Sequence, residues 1–142
     1  MKVKATVICD NYVFNLPGAV AEHGLSIFLE TGAGNYLLDT GQGKAIVNNA
    51  LVLGKDLRTI KGIIMSHHHW DHTEGLLPLL EWIGPREIHA HPDFFKESYR
   101  IGGERVRAIG VPYTRSFLEG KGATFNFSDD FRQIEPGMWP LR

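Results

Sequence analysis

The stretch IIMSHHHWDHTEGL, residues 63–76, places four of the chain's seven histidines within six positions. Such crowding is costly as the pH falls, because neighbouring imidazolium charges repel and each pKa drops. A guest that takes up the lone pairs relieves the cost. Residues 62–65 (GIIM), behind Lys61, form a short and uniformly apolar run, the signature of a central strand covered on both faces. If the chain leaves that strand still extended, His67 and His69 project to one side and His68 to the other, since side chains alternate with period two. A turn at Asp71 and His72 then brings a carboxylate and a third imidazole close by, with Trp70 as a cover. This inventory suits zinc, as one ion or two, with iron or manganese as the other candidates. A carboxylate among such ligands can orient or deprotonate a bound water whose pKa the ion lowers to about 7, which gives Asp71 a candidate catalytic role. A purification tag would contain no WDH and would not follow an apolar strand.

Composition sets the bounds around this motif. With 142 residues, 43% hydrophobic and 22% charged, the chain is expected to fold as one domain, residues 1–142. Lys and Arg total 15 against 16 Asp and Glu, a net charge of -1 with the signs interspersed, so no basic face for nucleic acid is expected. No apolar run reaches the roughly 18 residues that span a membrane. The single cysteine, Cys9, excludes an internal disulfide and fits a reducing compartment, so the expected location is cytoplasmic; with nucleic acid and membrane set aside, a small-molecule substrate is the expected partner.

Strand and helix patterns alternate along the chain, which predicts an α/β sheet. Residues 2–8 read as a strand, and residues 25–30 and 36–39 as a hairpin across TGAGN that leaves Asp39 at a strand end. The spacing of Ile46, Ala50, Leu51 and Leu53 predicts a short helix ending at Gly54. Thr73 reads as the N-cap of a helix that Gly84 and Pro85 stop. EIHAH is a further strand, PDFFKESYR a helical turn or two, RIGGERVRAIG a surface loop, and ATFNF with FRQIEP a second hairpin across SDD. Glu22 and His23 precede the first hairpin and are candidate substrate contacts. His89 and His91 are expected in structural or substrate-contacting roles.

SHHHWDHTEG resembles the H-x-H-x-D-H signature of the metallo-β-lactamase superfamily, and LLDTGQG the aspartate-containing segment that precedes it there. AEHGLSIFLETGAGNYLLDTGQG, LGKDLRTIKGIIMSHHHWDHTEGL and HAHPDFF are similar to the branch labelled 7,8-dihydropterin-6-methyl-4-(β-D-ribofuranosyl)aminobenzene-5'-phosphate synthase. The resemblance implies the N-terminal half of an αββα sandwich, a mixed sheet with helices on one face. It implies a first metal on His67 and His69, a second on Asp71 and His72, and Asp39 as the carboxylate that orients a ligand. The implied activity is hydrolysis of an ester or phosphoester, pterin- or phosphate-related, by a metal-activated water.

Members of that superfamily take further ligands from a second half, and no histidine follows His91. The expectation is therefore a half-domain truncated at its C-terminus, active with a missing C-terminal half or as a homodimer. The alternatives are an inactive metal-binding remnant and an interaction module. A half-sandwich leaves one sheet face uncovered, and Ile27, Leu29, Leu37 and Ile64 or their neighbours are expected on it.

Overall fold

The computed structural model describes residues 2–129 and Ile134. Its elements run β1 (Lys4–Cys9), β2 (Ser26–Thr31), β3 (Gly34–Leu38), α1 (Ile46–Val52), β4 (Ile60–Ile64), α2 (Trp70–Thr73), α3 (Leu76–Ile83), β5 (Arg86–Ala90), β6 (Tyr99–Gly102), β7 (Arg105–Ala108), α4 (Arg115–Gly120) and β8 (Ala123–Phe127). Six strands form one sheet in the order β1-β2-β3-β4-β5-β8. The β1-β2-β3 meander is antiparallel, whereas β3-β4, β4-β5 and β5-β8 pair in parallel. Parallel neighbours need long crossovers, and α1, α3 and α4 lie in them.

Cross-strand register assigns each face of the sheet. Phe28 pairs with Leu37, Leu37 with Ile63, Ile63 with Ile88 and Ile88 with Phe125, so these five share the face that the helices cover. They join Ile46, Leu76, Leu79, Leu80 and Leu118 in one buried cluster. The opposite face carries the row Val7, Ile27, Leu38, Ile64 and His89, one residue from each of β1 to β5. Tyr36 and Ile64 form a second small cluster there, with Leu29, Leu38 and Ile134 packed against it. Leu37, expected on the uncovered face, is instead fully buried under the helices. The reason is the hairpin register: Leu38 stands opposite Ile27, which moves Leu37 to the face of Phe28.

Other expectations need local correction. Thr73 is no N-cap; it closes α2 and donates its hydroxyl to the His69 carbonyl at 3.0 Å, while Gly75 precedes α3. The arginine-rich stretch expected as a loop forms the antiparallel β6-β7 hairpin, turned by Gly103 at φ +60°. PDFFKESYR gives one 3-10 turn, Pro92–Phe95, and then extended chain. The second hairpin across SDD lies outside the described residues. Among those residues no helix is long and apolar enough to cross a membrane.

The register makes a checkable difference between neighbouring leucine and isoleucine positions. Leu37→Ala should cost about 2–5 kcal/mol, the usual range for a buried leucine, and Ile27→Ala distinctly less. Urea unfolding of the two variants compares them.

Candidate metal centre

The site forms where β3 and β4 end. β3 stops at Leu38, and Asp39 then adopts φ +54°, a left-handed conformation that aspartate tolerates better than most side chains. The turn sends its carboxylate across the sheet end, fully buried. There it accepts three hydrogen bonds: the Ser66 amide to Oδ1 at 2.8 Å, the Ser66 hydroxyl to Oδ2 at 2.5 Å, and His72 Nδ1–H to Oδ2 at 2.7 Å. A buried carboxylate is costly without partners, and charge-assisted bonds of this kind offset the cost.

These bonds fix the imidazoles. Because the Ser66 hydroxyl proton goes to Asp39, its oxygen accepts from His67 Nδ1–H at 2.8 Å. The Nε2 atoms of His67 and His72 are thereby left as lone pairs. The two rings stand 4.2 Å apart, centre to centre, and His69 stands 4.6 Å from His67. His68 turns away and bonds Ser98 Oγ at 2.6 Å, as alternation along an extended chain requires. The α2 turn that carries Asp71 and His72 is clamped to the loop after β3. Thr40 donates its amide and its hydroxyl to the His72 carbonyl, at 2.9 and 2.8 Å. A side chain on Gly75 would collide with the Thr40 carbonyl, so only glycine permits this approach.

Electrostatics follow from the same contacts. The hydrogen bond to Asp39 raises the His72 pKa, since it favours the protonated ring. Burial lowers that of His67, and the neighbouring His72 and His69 lower it further. Ligand atoms of Asp39, His67 and His72 all fall within 4.8 Å of one another. Asp39 accepts from three protein donors and so holds His72 directly and His67 through Ser66.

The remaining candidates divide. Asp71 Oδ2 lies 3.4 Å from His72 Nε2 and 3.4 Å from His23 Nε2, on the side of the site open to solvent. Glu22 is buried, and its carboxylate accepts the amides of Gln42, Lys44 and Ala45 at 3.0–3.1 Å, so it braces the loop. His89 lies on the sheet face away from the main core, and His91 caps the Pro92–Phe95 turn by accepting from the Asp93 amide at 3.1 Å. Cys9 is fully buried and its pKa is pushed up by that burial and by nearby Glu22. Ser66 carries no sequence signature of its own; its role appears only through Asp39 and His67, while Arg100 and Arg107 lie on the β6-β7 hairpin rather than in a loop.

The model of the metallo-beta-lactamase superfamily matches residues 20–138. The chain belongs to that superfamily. It is 30% identical to the 7,8-dihydropterin-6-methyl-4-(beta-D-ribofuranosyl)-aminobenzene-5'-phosphate synthase of Methanocaldococcus jannaschii, in a match covering 98% of this chain and 50% of that protein. It is 26% identical to a hydroxyacylglutathione hydrolase of Xanthomonas euvesicatoria, over 85% of this chain and 46% of the other. Among solved structures, a metal-dependent hydrolase of the beta-lactamase superfamily superposes with a TM-score of 0.72 at 24% identity, over 94% of this chain and 45% of that one. The chain thus spans about half the length of these metallo-beta-lactamase relatives.

Two consequences of the Asp39 network are measurable. In the metal-free protein the His72 pair stabilises the fold fully below the ordinary histidine pKa and loses that contribution as pH rises through the raised folded value. For His67 the sense is opposite, with stability lost as pH falls below the ordinary value toward the depressed one. Histidine 15N resonances followed through pH should place His72 above and His67 below the ordinary value, and Asp39→Asn should bring His72 down. The same variant should weaken metal binding by about 10- to 100-fold, measured by competition with a chelator.

Proposed function

We propose that this chain carries the metal-binding half of a hydrolase that cleaves an ester or phosphoester bond in a small anionic substrate. The observation that carries the reading is the pair of imidazoles, His67 and His72, held by one buried carboxylate with both Nε2 atoms unused. Zinc suits such neutral nitrogen donors, with iron or manganese as alternatives. When bound, the metal supplies Lewis acidity and an acidified water. The residues fit it as two sets: His67 with His69, and Asp71 with His72. A catalytic zinc takes three protein ligands, so His67 and His69 need a further donor, and a second half or a second copy of the chain is the proposed source.

The surroundings favour an anionic substrate. A cleft of about 690 Å³ runs from His69, Trp70 and Asp71 to the β6-β7 hairpin. Arg100 and Arg107 stand directly opposite each other on that hairpin, and both line the cleft. Like charges so placed weaken a hairpin, and an anion between them removes the repulsion. The M. jannaschii relative is named for a product bearing a 5'-phosphate, which agrees with this chemistry. Within the chain, Asp71 faces the cleft and can accept a proton, while Asp39 keeps His72 oriented behind it. Cytoplasm is the proposed compartment, on the single buried thiol Cys9.

Metal content and turnover test the reading together. His67→Ala and His69→Ala should each strongly lower bound zinc or manganese, and His68→Ala should leave it unchanged. The loaded protein should hydrolyse a nitrophenyl ester or phosphodiester, and Arg100→Gln with Arg107→Gln should raise KM for an anionic substrate without changing metal content. Metal retained without turnover of any ester would instead indicate an inactive metal-binding remnant.

A further inference from the structure

The β6-β7 hairpin carries the two arginines of the cleft, yet burial does not hold it in place. Every residue of both strands is exposed, and among the described residues the two strands pair only with each other. A two-stranded ribbon is marginal by itself, and Arg100 standing opposite Arg107 weakens it further. On the other face of the ribbon Ile101 pairs with Val106, and these residues are 76% and 63% exposed. The direction in which the arginines are presented is therefore set where the hairpin joins the body.

That junction lies against the histidine motif. The Ile109 amide donates to the Ser98 carbonyl at 2.9 Å, which extends the ladder one rung beyond the Tyr99 and Ala108 pair. The Ile109 carbonyl accepts the Trp70 amide at 3.0 Å, and His68 Nε2 lies 2.6 Å from Ser98 Oγ. The rung is thus attached to the motif from both strands, once through main chain and once through a side chain. The His68 ring also lies beside Gly110, where a Cβ would stand 3.7 Å from its Cδ2. Alternation turns His68 away from His67 and His69, and this is why it can reach the hairpin. Ser98 precedes Arg100 by one strand period, as Ile109 follows Arg107, a distance of about 7 Å. With that period Ser98 and Arg100 share a face of the ribbon. Attachment at one strand alone would leave the ribbon free to swing, whereas attachment at both defines its direction.

We infer that His68 is a positioning residue for anion recognition: its bond to Ser98 fixes the base of the β6-β7 hairpin and so holds Arg100 and Arg107 on the wall of the cleft. The inference rests on the reading above that the cleft takes an anionic substrate. His68 acts only through the arginines and has no part in either metal set.

Inorganic phosphate is the probe that tests it. Titrated into the whole chain and followed by the side-chain 15N resonances of Arg100 and Arg107, phosphate should shift both in the wild type. His68→Ala should weaken that binding about three- to tenfold, the scale of one net hydrogen bond. Ser98→Ala breaks the same bond from the hairpin side and should match it, while His68→Gln, which can still bond the hydroxyl, should restore most of the affinity. Backbone 15N relaxation should show residues 99–108 less ordered in both alanine variants, with β3 and β4 unchanged. In the metal-loaded chain the same two variants should raise KM for a nitrophenyl phosphodiester, leaving kcat, metal content and KM for neutral nitrophenyl acetate as they were. Phosphate affinity equal in His68→Ala, Ser98→Ala and wild type would overturn the inference and leave the anionic-substrate reading standing, and so would a loss that His68→Gln does not rescue. Phosphate that shifts neither arginine in the wild type would overturn that reading and the inference with it.

Discussion

One buried carboxylate organises this structure. Asp39 ties together the end of β3, the residue that follows the β4 exit and the α2 turn, three segments separated by up to 33 residues in the chain. Its burial is offset because all its partners are donors, and its backbone takes a left-handed conformation, at φ +54°, where the chain turns out of β3. The imidazoles inherit their orientation from it: His72 directly, His67 through the Ser66 hydroxyl. Removing the charge would leave the apolar core intact and the ligand nitrogens unaimed.

The sheet provides the rigid base for that network. β3 and β4 are parallel neighbours in the middle of the sheet, with their helix-side residues Leu37 and Ile63 fully buried, so their ends are held by the best-packed part of the molecule. Groups at the carboxyl ends of such strands gather where the chain turns back into helices, which is where α/β sheets place ligands. The other sheet face is covered differently. Tyr36 and Ile64 are nearly buried there beside Ile134, yet Val7 at the β1 edge is 49% exposed. An apolar row of this kind is the surface on which a second layer or a second copy of the chain would pack.

Around the mouth, the loops divide the work. The segment before β2 is braced by a buried glutamate and presents His23, while the β6-β7 hairpin, exposed along its whole length, presents two arginines. The first is fixed by close backbone contact with the motif, Gly24 against the Asp71 carbonyl. The second is joined to the motif where the Trp70 amide donates to the Ile109 carbonyl and His68 bonds Ser98, and it borders the cleft beside Asp71. Precision is thus greatest where the chemistry would occur and falls toward the periphery.

Much of this was written locally. Alternation along an extended exit from β4 separated His67 and His69 from His68, and the apolar run at residues 62–65 announced a central strand, because both depend only on backbone period and nearby composition. Register was not local: whether Leu37 or Leu38 meets the helices turns on how β3 pairs with β2, and a one-residue shift exchanges the faces. The roles of Glu22 and Ser66 were equally hidden, since each is defined by a hydrogen-bond partner that another segment brings to it. Sequence alone determined the histidine-rich motif and the apolar strand that leads into it, for these follow from composition and backbone period. Only the tertiary structure decided which nitrogens face inward, that Glu22 braces a loop and that His23 meets Asp71, because the proton positions and approach distances are set by contacts across 20 to 48 residues of chain.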